Sequence, residues 1–389
     1  MITLDTLLHG VRRGAGLTAL AAALAAAPLA ARAAGPQGFL QTIHKHVLLT
    51  SAVSDDGDAN PYAVVVAPVS AGKIHAGDVL VDNFNDVSNL QGTGATIVDY
   101  NPDTKKLSVF AKLPRDLAGC PGGVGLTAAM CMLKSGWVIV GSTPSTDGTV
   151  GTLGAGGLIV LDPSGKVAAV WSDPKIDGPW GNMAVIDNGD TATLFVSMSG
   201  FDVPGLHDVD PKTGYPRVVD KATVLRLDLS IPAGQAPKIT SETVVADGFG
   251  ERADKDAFLV GPTGLALGPD GTLYVSDGLG NRIAAVGNAA TRTDSAGLGR
   301  TVSEGGLLHR PLALTMLPNG HMLAINALNG TVVELDPATG KQLYAQWIDA
   351  DQAQSPPGNG DLFGIALTPD GKGFYYVEDD LNTLMEAEG

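Results

Sequence analysis

Polar side chains able to do chemistry recur in this chain at two kinds of place. Asn60, Asp177, His309, Arg310 and Asp361 stand at the openings of short apolar runs, and Asp82, Asn83, Asn85, Ser142, Asp277, Asn326, Glu378 and Asp379 stand where a following run ends. Carboxylates and amides gathered from such positions would offer oxygen ligands to a hard cation such as Ca²⁺. A single Asp there more often bonds the backbone amides of its own turn. Other chemistries find little support. Ser142 and Ser199 lack the Gly-x-Ser-x-Gly setting of a nucleophile elbow. Ala71-Gly72-Lys73 and Ser164-Gly165-Lys166 lack the spaced upstream glycine and following hydroxyl of a phosphate loop. The acidic groups Asp55-Asp56-Gly57-Asp58 and Asp208-Val209-Asp210 have neither the twelve-residue spacing nor the final Glu of an EF-hand.

The elements that must position these residues are short strands. Around Gly261, two apolar runs, Gly264 to Leu267 and Thr272 to Val275, flank a Pro269-Asp270-Gly271 turn, and a third run begins at Arg282. Pro presets the first turn dihedral and Gly relieves the last. Looser copies open at Asn60, Gly122, Gly178, Arg310 and Asp361, with aligned second residues spaced by 62, 56, 83, 49 and 51 positions. Periods near 50 with four strands each predict an all-β, six-bladed propeller. The sixth unit holds only three strands before Gly389, while the run from Thr42 to Val53 has no hairpin partner. Pairing the two would complete the last blade and close the ring.

Composition agrees: 51 Gly, 24 Pro, 44 % hydrophobic and 17 % charged residues suit many short strands around a large core. At the N-terminus, Arg12-Arg13, an Ala/Leu-rich run from Ala15 to Leu29 and Ala31-Arg32-Ala33 form a secretory signal with cleavage after Ala33, too short in its apolar part for a spanning helix of ~20 residues. Sec export is expected over the twin-arginine route, because Gly14-Ala15-Gly16 lacks bulky residues after the arginine pair. The mature chain, residues 34–389, is expected to be a single propeller domain, periplasmic or secreted, with no membrane span and monomeric. Taking Arg12, Arg13, Arg32 and Asp5 from 25 basic and 41 acidic residues leaves 22 and 40. That excess of negative charge, without a Lys/Arg cluster, argues against nucleic acid as a partner and leaves a small molecule or a protein. Cys120 precedes and Cys131 lies in a predicted strand, Gly125 to Met132, that would hold them about 20 Å apart, so no disulfide is expected.

Gly261-Pro-Thr-Gly-Leu-Ala-Leu, Pro269-Asp-Gly, Leu273-Tyr-Val-Ser-Asp277 and Asn281-Arg-Ile283 resemble the NHL repeat; the units at Arg310 and Asp361 match less closely, and the first three weakly. The resemblance implies a propeller in which the loops before each innermost strand and after each second strand share one face, where ligands bind. Related propellers include binding scaffolds, zinc-dependent amidating lyases and gluconolactonase-like metal hydrolases. On that face the resemblance places a ligand-binding mouth of Asn60, Tyr62, Asp177, Trp180, His309, Arg310 and Asp361, and a Ca²⁺ or Zn²⁺ candidate of Asp177, His309, Asp361 and Glu378. Of seven histidines only His207 and His309 reach it, since His9 leaves with the signal, His44 and His46 fall on the closing strand, and His75 and His321 lie opposite; two fall short of a zinc lyase unless a carboxylate completes the set. Just inside the openings, Tyr62, Val124, Trp180, Thr263, Leu312 and Phe363 would plug the channel or wall a pocket. The long segment from Phe201 to Val219 is the lid candidate. The primary expectation is a binding scaffold, with a metal-assisted hydrolase or lyase as the alternative.

Overall fold

The computed structural model describes residues 38–349 and 351–389. The secretory signal expected over residues 1–33 lies outside them. Six antiparallel sheets each begin with an innermost strand, and these six innermost strands pack against one another in a closed ring. The first blade is β2–β5 (Ala59–Val66, Val79–Asn85, Thr96–Asn101, Lys106–Lys112) and the second β6–β9 (Leu126–Met132, Val138–Ser142, Gly157–Leu161, Val167–Trp171). The third is β10–β14 (Pro179–Asp187, Thr191–Met198, Val219–Ser230, Lys238–Asp254, Phe258–Val260), and the fourth β15–β18 (Pro262–Leu267, Leu273–Asp277, Arg282–Val286, Arg300–Glu304). The fifth is β19–β22 (Pro311–Met316, Met322–Asn326, Thr331–Asp336, Lys341–Trp347). The sixth joins β23–β25 (Leu362–Leu367, Phe374–Glu378, Thr383–Glu388) to β1 (Lys45–Ser51), which pairs with β25 from Lys45↔Glu388 to Ser51↔Thr383. The N-terminal run therefore completes the last blade, as its lack of a local partner predicts.

Each innermost strand shifts register against its second strand just after its opening, between Pro61 and Val64, Leu126 and Met130, Trp180 and Ala184, Pro262 and Leu265, Pro311 and Leu314, and Leu362 and Ile365. A bulge there bends the strand and re-aims the side chains that follow it. Glycine is needed at the tightest of these sites. A Cβ on Gly181, whose φ is +82°, would lie 2.1 Å from the Thr263 carbonyl oxygen, and one on Gly264 would lie 2.1 Å from that of Leu312. The Pro-x-Gly pattern thus encodes close approach of neighbouring blades around the axis.

Apolar side chains from facing blades fill the wedges between them. Val138, Val140, Ile159 and Leu161 of the second blade pack with Leu80, Ile97 and Phe110 of the first, and on its other face Ile139, Leu158 and Val160 pack with Leu194, Val196 and Leu225 of the third. Cys120 and Cys131 are free and belong to these two separate clusters. The third blade departs from the four-strand expectation: β13 runs for 17 residues and folds back through the short β14, carrying Phe258 inward. Among the described residues no helix is long and apolar enough to cross a membrane.

Candidate functional site

The axial channel is filled. Tyr62 stacks between Phe363 (ring centroids 4.1 Å apart) and Phe84 (4.6 Å), while Trp180 meets Phe84 edge-on at 5.4 Å and stacks near Phe258 at 6.1 Å. Such contacts add to the area term of burying five large rings. Tyr62 is 1 % exposed, so it acts as filler beneath the mouth and not as its lining. Burial, then the charges of Asp379, Asp82 and Asp254, push its hydroxyl well above the ordinary tyrosine range.

Above this plug lies a cavity of about 970 Å³. Trp180, Phe363, Leu312 and Thr263 reach its floor; Leu206, His207, Val209 and Tyr215 of the 201–218 loop form one wall; Arg252 and Asp254 from the β13–β14 hairpin, with His309 and Arg310, form another. The loop is pinned by a bridge between Val209 and Pro216 and an Asp208–Arg217 ion pair of 3.1 Å. His207 and His309 both line this space, and among the described residues no third histidine joins them there.

Asp254 stands between two arginines, its Oδ2 3.2 Å from Arg252 and 3.4 Å from Arg310. Arg252 also lies over the Tyr215 ring at 5.0 Å, a cation–π contact that seats the loop on the hairpin. Arg310 is held by its backbone: φ is +57°, its amide donates to Asn281 Oδ1 at 2.8 Å, and its carbonyl accepts from Ala327. Burial draws its pKa down, opposed by Asp254, yet a guanidinium stays charged at any working pH. One carboxylate between two guanidinium groups leaves a surplus positive charge in a mostly apolar chamber of an acidic protein.

The remaining predicted residues separate into three places. Asn60 closes the ring: its amide donates to Asn382 Oδ1 at 2.6 Å, and its own Oδ1 is buried without a partner. Asp177 lies beside Glu251 on the third blade. Burial, then the charge of Asp202, raises Asp177 to about 6; burial, then Asp177, raises Glu251 to about 9, against the opposing pull of the Phe201 backbone. Asp361, opening the sixth blade, meets Asp349 from the end of the fifth blade and Asp380 from the turn after β24, one ligand oxygen from each falling within 4.8 Å of the others. Among the described residues this is the one group of three or more His, Cys, Asp or Glu side chains so placed. Asp177, His309 and Glu378 therefore do not join Asp361 in a single metal set. They belong to different blades and loops, although Glu378 is the strand partner of Leu362 and feels Asp349 and Asp380 among the causes, after burial, that raise it to about 7.

Several oxygen-bearing residues at strand ends have structural partners instead. Asp277 accepts from the Gly280 amide and from Arg282 Nε at 2.8 Å; Asn326 accepts from the His309 amide and donates to Leu307 O and Thr331; Ser142 accepts from the Gly125 amide. Asp82 accepts from the Ala63 amide at 2.8 Å but leaves Oδ2 buried and bare, and burial raises it to about 8. Arg252, Asp254, Asp349 and Asp380 were not singled out by sequence. The last two carried a signal, since residues 349–380 hold seven acidic side chains against one lysine.

No protein-family model matches the sequence, and no curated protein matches it significantly. Solved structures do resemble it. A gluconolactonase from Xanthomonas campestris superposes with a TM-score of 0.53 at 14 % identity, covering 88 % of this chain and 89 % of its own. The calcium-binding protein regucalcin from Agrobacterium tumefaciens gives 0.50 at 12 %, covering 89 % and 93 %. The PQQ-bound aldose sugar dehydrogenase of Streptomyces coelicolor gives 0.52 at 14 %, covering 88 % and 98 %. The chain is a six-bladed β-propeller. Likeness at this level shows the fold, and three different activities on one fold leave the function to the site.

Proposed function

We propose that this propeller is an exported binding protein whose cavity takes a small molecule with an apolar body and an anionic group, the anion held by Arg310 and Arg252. The observation that carries this reading is the Arg252–Asp254–Arg310 array set into a chamber floored by Trp180 and Phe363. Apolar walls with a few fixed polar groups are the usual form of a small-molecule site, and a guanidinium pairs a carboxylate or phosphate through two parallel hydrogen bonds. A metal-assisted hydrolase or lyase is the second reading, favoured by the three-carboxylate group next to a loop whose residues Asn359 and Gly360 border the same cavity.

The test is a thermal-shift and calorimetric screen of aromatic carboxylates against their neutral amides. Carboxylates should raise Tm, the amides should not, and Arg310→Ala should weaken binding at least 10-fold while leaving the unliganded Tm within a few degrees. Equal binding of acid and amide, or an unaffected Arg310→Ala, would remove the reading. Export is tested separately by cell fractionation and by the mass of the mature N-terminus, expected at Ala34.

A further inference from the structure

We propose that Asp349, Asp361 and Asp380 hold a calcium ion that clips the fifth blade to the sixth and anchors the loop between Asp349 and Asp361. Their ligand oxygens lie within 4.8 Å of one another. Oxygens bound to one Ca²⁺ at 2.3–2.6 Å can be at most about 5 Å apart, and a site offering three carboxylates suits Ca²⁺, which takes 6–8 oxygen ligands, better than Mg²⁺, which keeps several of its waters. An all-oxygen set likewise favours a hard cation over Zn²⁺.

A second observation points the same way. Asp361 and Asp349 are 5 % and 9 % exposed, and the Oδ2 atom of each is buried with no hydrogen-bond donor. Two acceptor-only groups that abut in the interior can be reconciled only by a proton or a cation. The remaining bonds prepare the site and do not occupy it: Asp349 Oδ1 accepts from the Asp351 amide, Asp361 Oδ1 accepts from Gln354 Nε2 at 3.2 Å, and the Asp361 carbonyl accepts from the Asp379 amide. Asp351, Glu378 and Asp379 add three more carboxyl groups, and among the described residues no lysine, arginine or histidine forms an ion pair with any of these six.

The placement gives the ion a task. Asp349 follows the outermost strand of the fifth blade, Asp361 opens the innermost strand of the sixth, and Asp380 lies in the turn after β24. The loop so gripped contributes Asn359 and Gly360 to the cavity rim, so cation binding would fix one edge of the chamber.

The experiment is calorimetric titration of the chelator-treated full chain with CaCl₂, alongside Tm and limited proteolysis of the 350–360 loop. One ion per chain, a higher Tm and slower cleavage are expected. Asp361→Asn and Asp349→Asn should each weaken Ca²⁺ at least 10-fold, yet without calcium they should melt no lower than the parent, because each removes repulsion; that distinguishes lost ligation from misfolding. Absence of binding at millimolar Ca²⁺, unchanged affinity in both variants, or tighter binding of Mg²⁺ or Zn²⁺ would overturn the assignment. No cavity ligand enters this test, so its failure leaves the Arg310 experiment standing.

Discussion

At the scale of single residues, the interior is unusual for carboxylic acids kept neutral. Asp82 is raised to about 8 by burial, against the Ala63 amide and its own backbone amide, and Glu251 to about 9 by burial and by Asp177, with Asp202 adding to the shift and the Phe201 backbone and Lys221 opposing it. In the unfolded chain both titrate near 4. Between about pH 4 and pH 8 the folded state therefore keeps protons that the unfolded state has released, and stability must fall as pH rises through that window. Asp86, Asp162, Asp270 and Asp336 act in the opposite sense: turn hydrogen bonds lower them, so their contribution is lost as pH falls through their folded values. The expected optimum is near pH 5, read as the highest Tm in a pH 4–9 series in chelating buffer. Asp82→Asn mimics the protonated acid, and it should gain Tm over the parent at pH 8 while matching it at pH 5. A parent optimum at pH 8, or a variant that gains nothing there, would contradict the assigned protonation. None of this was visible in the sequence. The sequence reads Asp82, like Asp277, as ending a strand, and only the fold shows that Asp82 lies inside β3 with Oδ2 bare while Asp277 ends β16 and is bonded to Arg282.

At the scale of elements, the openings of the inner strands were legible because they repeat. Pro-x-Gly marks a bulge and a close approach on the third and fourth blades, Gly364 makes a like approach to Tyr62 O on the sixth, and the turns Pro269-Asp-Gly271, Pro318-Asn-Gly320 and Pro369-Asp-Gly371 each end in a glycine with positive φ. What repetition cannot reveal is the departure from it. The β13–β14 hairpin, which supplies Arg252, Asp254 and Phe258, continues the alternation of an ordinary outer strand and gives no separate signal. The Asp349–Asp361–Asp380 group was legible only as acidic density, since its members meet through the closure of two blades. The inner glycines offer a direct test of the packing argument. Gly181→Ala places a Cβ against the Thr263 carbonyl in a conformation that disfavours side chains, and it should cost about 2 kcal/mol or more in a denaturant titration. Gly189→Ala, at a turn with equally positive φ but nothing within 4 Å of the added Cβ, should cost only about 1 kcal/mol. Similar losses for both would show that backbone conformation alone governs, and that the approach between blades does not.

At the scale of the whole molecule, the ring depends on joining the two ends of the described chain. β1 supplies the outer strand of the last blade, and its Lys45 forms an ion pair with Glu388. Inside, Asn83 Nδ2 donates to the Ala52 carbonyl at 3.0 Å and Asn382 Oδ1 accepts from the Asn60 amide, so the incoming segment is tied to the sixth and first blades together. Removing β1 would uncover β25 along its length and leave Ala387, Leu384 and Val377 near an open edge. An exposed strand edge is a template for pairing with another copy, and the wedge between the sixth and first blades would lose one of its sides. A chain beginning at Val53 should therefore melt well below the protein that retains β1, and light scattering should show it self-associating with rising concentration. Adding back a peptide spanning His44–Ala52 should restore the monomer by reoccupying the edge. If the shortened chain stays monomeric with an unchanged Tm, the first and sixth blades hold the ring without the N-terminal strand, and closure rests on the inner strands alone.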